Sequence, residues 1–206
     1  MRILYPVWAV VGMFGLLYVN SQLVVSDDAV ATANNLVSNE LLFRAGIVSN
    51  LITQLLFIVI PLFLFRLFEE VDRIQALLMV ILALVSVPIA MLNELMNVAA
   101  LLTTSDPGQM QLFVDLNAQG VAIASIFWGL WLFPLGILII RSGYFPKIVG
   151  WTVIIAGIGY TLDSFLKLLV PEFAALSVIF QVMTIGEIVF LLWLTIKGAR
   201  LPRENQ

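Results

Sequence analysis

The chain has 206 residues, 62% of them hydrophobic and 11% charged, with a formal net charge of −3. Its mean hydropathy is +1.08. A soluble domain is about half apolar and a quarter charged, so this composition excludes a soluble globular protein, and the negative balance argues against a nucleic-acid partner. There is neither Cys nor His, which removes disulfides, thiol catalysis and the usual zinc and haem ligands. No cofactor and no metal are expected, and acid–base chemistry would fall to carboxylates, Lys, Arg or Tyr.

Six runs are long and apolar enough to cross a bilayer core of about 30 Å. They predict an all-α integral membrane protein, a six-helix transmembrane bundle in which residues 1–206 form one domain. The predicted spans are 3–23, 42–65, 76–101, 112–140, 148–170 and 173–196. The first run follows Arg2, and Val19-Asn20-Ser21 also fits a signal-peptide cleavage site. The length of the run and the spans that follow favour an uncleaved helix. Between the first two spans lies "SDDAVATANNLVSNE", residues 26–40. Ser26, Asp27 and Asp28 read as a helix start, and Ser38 as a cap for the second span. A short outer helix is predicted there, as a lid or as a connector.

Pro88 and Pro134 fall inside spans three and four and predict kinks, because proline removes a backbone donor and crowds the preceding turn. Span four also carries the small-residue seam Ala118, Ala122, Ser125 and Gly129, and span five is thinned by Gly150, Gly157 and Gly159. Such faces let helices approach closely in lipid, so packing is their expected role. Trp151 and Trp193 suit interface anchoring or packing in the bundle. Trp128 and Trp131, nearer mid-span, suit bundle packing or ligand stacking. The turn Arg141–Lys147 is expected to be tight, with Gly143 free to take an unusual backbone angle and Pro146 opening span five. The tail, 198–206, reads as loose.

Orientation follows from the basic residues. Arg2, Arg66, Arg73, Arg141, Lys147, Lys197, Arg200 and Arg203 fall on one side, and only Arg44 and Lys167 on the other. Eight against two puts both termini in the cytoplasm, in a multi-pass protein of the cell membrane.

Polar groups inside a bilayer cost a few kcal/mol each unless paired or wetted, which makes them functional candidates. "PIAMLNELMNVAALL", residues 88–102, holds Asn93, Glu94 and Asn97 in an otherwise oily run. Asn93 and Asn97 stack at i,i+4 with Glu94 beside them, and Gln111, Asp115 and Gln119 make a stripe of the same period. Asp163 and Lys167 sit four apart, acid first. They are a candidate site pair, or a snorkelling Lys neutralised by its neighbour. Arg44, Asn50 and Gln181 fall at a similar depth. Glu94 either contacts a ligand or is a structural carboxylate held by Arg44 or by amides. Glu187 stands apart near the middle of span six. It is a proton or cation relay, or a protonated carboxyl bonded to a backbone carbonyl.

"FWGLWLFPLGILIIRSGYFPKIVGWTVIIAGIGYTLDSF", residues 127–165, and "ATANNLVSNELLFRAGI", 31–47, resemble a bacterial family of small integral membrane proteins, domain of unknown function 4386. The resemblance covers nearly the whole chain and implies a fold but no reaction. Members often carry a His near the start of span four. Here that stretch reads "DLNAQG" with Asn117 in its place, so chemistry resting on that His is lost.

Three functions follow as expectations. The first is a binding or transport module for a small polar or cationic ligand, with Glu94, Asn93, Asn97, Asp115, Gln119, Asp163, Lys167 and Arg44 around an outer-half pocket. The second is an accessory or scaffold subunit with a membrane-protein partner. The third is an intramembrane enzyme on a lipid-like substrate, against which stands the lack of any nucleophile constellation.

Overall fold

The computed structural model describes residues 3–200, apart from the side chains at 171 and 174. The chain beyond 200, which holds most of the predicted loose tail, lies outside the described residues, as do Arg2 and Arg203. Helices account for the described fold: α1 (Leu4–Leu23), α2 (Ala29–Ser38), α3 (Glu40–Phe68), α4 (Arg73–Leu102), α5 (Pro107–Ser142), α6 (Lys147–Leu169) and α7 (Ser177–Ile196). All except α2 are long and apolar enough to span a bilayer. The protein is therefore an all-α membrane bundle. α2 is the short extra helix expected between the first two spans.

Asp residues set the helix starts. Asp28 Oδ1 accepts from Ala31 N at 2.8 Å, and Asp72 Oδ1 from Gln75 N at 3.1 Å. Asp106 Oδ1 accepts from Gly108 N and Gln109 N, each at 3.1 Å, with Pro107 opening α5. Each such cap satisfies free N–H groups and contributes about 0.5–2 kcal/mol. The expected cap at Ser38 does not form. Ser38 ends α2, Asn39 precedes α3 without a side-chain cap, and Asn39 Nδ2 instead donates back to Asn35 O at 3.1 Å.

Two interruptions shape the spans. Residues Phe14–Val19 of α1 are π-helical. Side chains reach the carbonyls in and beside that segment: Ser49 Oγ donates to Val11 O at 2.7 Å, and Asn20 Nδ2 to Leu16 O at 3.0 Å. α5 breaks at Trp131, just ahead of Pro134, which lacks the N–H that would return to Leu130. α4 continues through Pro88 without a break. α7 begins at Ser177 rather than at 173, because Pro171–Leu176 forms a 3₁₀ stretch in which Phe173 takes φ −94°, ψ 25°. Gly143 takes φ +70° as the turn after α5 requires, and α6 starts at Lys147 directly after Pro146.

The six spanning helices form a ring in chain order. α1 packs on α3, α3 on α4, α4 on α5, α5 on α6 and α6 on α7, and α7 closes thinly against α1. α5 and α6 meet almost backbone to backbone. A Cβ on Gly129 would lie 2.8 Å from Gly157 O, and one on Gly136 would lie 2.8 Å from Gly150 O, an antiparallel repeat of seven residues. Only glycine allows that approach, and in lipid close packing replaces the hydrophobic effect as the cohesive force.

Two apolar clusters fill the ring. One, at the end holding Arg66, Arg73 and Arg141, is built on Tyr5, Phe57, Phe68, Trp131, Phe145 and Phe190. Its rings pack successively: Tyr5 on Trp8 at 5.3 Å, Trp8 on Phe57 at 5.3 Å, and Phe57 edge-on to Trp131 at 5.2 Å. The other lies beneath α2 and joins Leu23, Ala33, Leu36, Phe43, Ala100 and Met110. Asn35 Nδ2 donates to Leu23 O at 3.2 Å and holds α2 onto the end of α1. The outward faces carry Leu41, Leu92, Val10, Ile155 and Val182, all exposed and apolar, as a lipid-facing surface requires.

Candidate functional site

Between the two apolar clusters lies a polar layer. Glu94 is 8% exposed, and both its carboxylate oxygens are occupied. Asn50 Nδ2 of α3 donates to Oε1 at 3.0 Å, and Asn97 Nδ2 donates to Oε2 at 2.8 Å. This answers how a carboxylate survives in so oily a run. Amides hold it, and not Arg44, which pairs with Glu40 on its own helix at 2.7 Å and stays exposed. Beside it, Asn93 Nδ2 donates to Asn117 O at 2.9 Å and Asn117 Nδ2 returns to Asn93 O at 3.2 Å. This reciprocal clamp joins α4 to α5. It occupies the position where the family pattern suggested a His.

Below the clamp the ring opens into a central cavity of about 470 Å³, lined by residues from all six spanning helices. Glu94, Asn93, Asn50 and Gln54 line it from α3 and α4, and Gln181, Thr184 and Glu187 from α7. Trp8, Phe57, Trp128, Trp131 and Tyr160 supply aromatic walls. Glu187 has neighbours after all. Tyr5 Oη donates to its Oε1 at 3.2 Å, and Tyr160 lines the same cavity. Gln54 is 8% exposed, and its Oε1 has no hydrogen-bond partner. The Trp8 indole Nε1 is likewise buried without an acceptor. A buried orphan of this kind costs about 1–3 kcal/mol, so each calls for a partner that the side chains do not supply.

A second pocket, of about 500 Å³, lies toward the α2 end between α1, α3, α4, α5 and α6. Asn20, Asn97, Asn117, Gln119 and Lys167 line it. Leu16, Leu17 and Val121 line both pockets. Two of these three sit on the π-helical segment of α1. A polar chain also joins the pockets. Lys167 Nζ pairs with Asp163 Oδ2 at 2.7 Å, Ser177 Oγ donates to Asp163 Oδ1, and Gln181 Nε2 donates to Ser177 Oγ at 3.0 Å.

The polar residues singled out in the sequence thus divide. Glu94, Asn93 and Glu187 meet at the central cavity, and Asn97, Gln119 and Lys167 at the second pocket. Asp163 lines neither, but it orients Lys167 and Ser177. Asp115 and Arg44 line neither: Asp115 is exposed and accepts from Gln111 Nε2 at 2.8 Å. Sequence reasoning passed over Gln54, Tyr5 and Tyr160. Asn50 and Gln54 stand four apart and share a face, a signal that was present. The tyrosines gave none, because a ring in a span reads first as packing. Among the described residues no group of three or more His, Cys, Asp or Glu is arranged to hold a metal ion. Chemically, the arrangement offers a largely apolar, aromatic-walled cavity into which a few polar side chains project.

A relative described as "Uncharacterized protein" from Archaeoglobus fulgidus is 37% identical over 122 residues, covering 57% of this chain and 70% of the relative. No solved structure matches the chain. The family model described as "Domain of unknown function (DUF4386)" matches residues 3–198, and the chain belongs to that family.

Proposed function

We propose that the chain is a membrane module that binds, and in doing so passes, a small molecule or ion through the central cavity. One observation carries this reading: all six spanning helices line one chamber, and into its wall a nine-tenths-buried amide, Gln54, brings an oxygen with no partner. A side chain held in that state is accounted for by a ligand that completes it. The second pocket, which shares the lining residues Leu16, Leu17 and Val121 with the chamber, is its approach from the α2 end. The distribution of Lys and Arg supports placing the basic end and both termini in the cytoplasm and the α2 end outside, in the cell membrane.

The test is thermal stability of the purified protein in nanodiscs, titrated with a panel of small cations, amines and polar solutes. A ligand at 100 times its Kd stabilises by about 2.7 kcal/mol, a readable rise in Tm. The rise is expected in the parent and is expected to shrink in Gln54→Leu and Glu94→Gln. If no solute moves the Tm of the parent, the chamber is structural packing and the reading fails.

A further inference from the structure

The ionisable side chains of the central cavity are all acidic: Glu94, Glu187 and Tyr160 line it, and among the described residues no Lys or Arg does. Lys167 lies at the other pocket and is matched there by Asp163. An anion entering the cavity would meet two carboxylates and no counter-charge.

The walls carry a second message. Five aromatic side chains line a chamber whose polar groups gather on α3, α4 and α7. An aromatic face attracts a cation through its quadrupole, most strongly when both are removed from water. Aromatic faces combined with carboxylates are the chemistry that recognises ammonium groups carrying an apolar body. A bare metal ion fits poorly, since it needs several oxygen donors at about 2.0–2.6 Å, and no three acidic side chains cluster among the described residues. A volume of about 470 Å³ would also leave such an ion rattling, whereas it falls within the usual range for organic ligands.

Resting on the reading of this cavity as the ligand site, we propose that its ligand is an organic monocation, an amine or quaternary ammonium with an apolar body of roughly aromatic size. The cationic head sits between Glu187 with Tyr160 and the ring of Trp128. The body lies against Trp8 and Phe57. Gln54 Oε1 accepts from an N–H of the ligand, or from a water carried in with it.

The experiment compares three probes on the full chain in nanodiscs, each corrected against protein-free nanodiscs. They are benzyltrimethylammonium, its neutral carbon isostere neopentylbenzene, and benzylsulfonate. Binding is read by calorimetry and by Trp emission, since Trp8, Trp128 and Trp131 line the cavity. The cation is expected to bind at least about tenfold more tightly than the isostere, as desolvated cation–aromatic contacts of this kind provide, and the sulfonate not at all. Glu187→Gln and Glu94→Gln are each expected to weaken the cation severalfold and leave the isostere unchanged, while Asp115→Asn, on the exposed face, changes neither. The probe comparison needs no variant, so it stands even if a substitution prevents folding. Equal affinity for cation and isostere, or sulfonate binding, overturns the cation assignment and leaves the cavity a ligand site. Failure of all three probes to bind overturns the assignment too, and a lack of any solute-induced shift in Tm would remove the ligand site with it.

Discussion

The Asn50–Glu94 bond joins α3 to α4 across the roof of the central cavity, and its strength is open to a direct test. Replacing Glu94 by Gln keeps the shape and one acceptor oxygen but turns the other oxygen into an N–H₂, which then faces an amide donor. The carboxylate accepts from Asn50 at 3.0 Å and from Asn97 at 2.8 Å, so one of the two loses its acceptor. Asn97 is only 9% exposed. A buried donor left without a partner costs about 1–3 kcal/mol, which sets the scale for Glu94→Gln alone. The pairwise share is smaller. Polar pairs between membrane helices couple by about 0.6 kcal/mol on average and about 1.7 at most, because the unfolded chain in lipid also finds partners. The coupling is measured by a double-mutant cycle of Glu94→Ala and Asn50→Ala, each of which removes the bond outright, unfolded by rising SDS mole fraction in mixed micelles and followed by Trp emission. A coupling of about 0.6–1.7 kcal/mol is expected. If both single variants are destabilised and their effects simply add, the two side chains do not touch, and the account of how Glu94 is held is wrong.

Other outcomes follow from single contacts. Gln54→Leu replaces an unbonded buried oxygen by an apolar group of similar shape, so it should raise ligand-free stability by about 1–3 kcal/mol, read in the same SDS titration. Gly157→Ala places a methyl 2.9 Å from Gly129 O and should cost about 1–3 kcal/mol by overpacking. Gly129→Ala should cost as much, and the double variant should fall short of their sum because both act on one contact. Arg141 pairs with Asp72 at 2.6 Å but is 58% exposed. Arg141→Gln should therefore lose only about 0.2–1 kcal/mol, and the loss should fade in 1 M salt.

The threading was legible because oil is counted one residue at a time: runs of twenty apolar residues need no tertiary information. So was the start at Asp28, where the capping group lies within three residues of what it caps, whereas the start at Asp106-Pro107, ahead of the span predicted from 112, was passed over. The site was legible in part. Glu94 and its amides stand out against their run, but depth along a span says nothing about rotation around it. That is why Arg44 was a candidate partner for Glu94, although Glu40, one turn before it, was the nearer acid. Asp115 suffered the same ambiguity and faces outward. Glu187 read as solitary because its partner Tyr5 is 182 residues away. Contacts of that range emerge only when the ring closes.

The ring is not equally strong all round. Glycine contacts fasten α5 to α6, and another brings α6 against α7: a Cβ on Gly186 would fall 1.9 Å from Thr152 O. The junction of α7 with α1 has only a slim contact, marked by the Tyr5–Glu187 bond and the edge of Phe190 on Tyr5. α1 is also the helix with the π-helical stretch that carries Leu16 and Leu17. If the barrel of helices ever breathes, the cheapest slit is along this junction, with α1 as the swinging door and a single phenol–carboxylate contact as its latch.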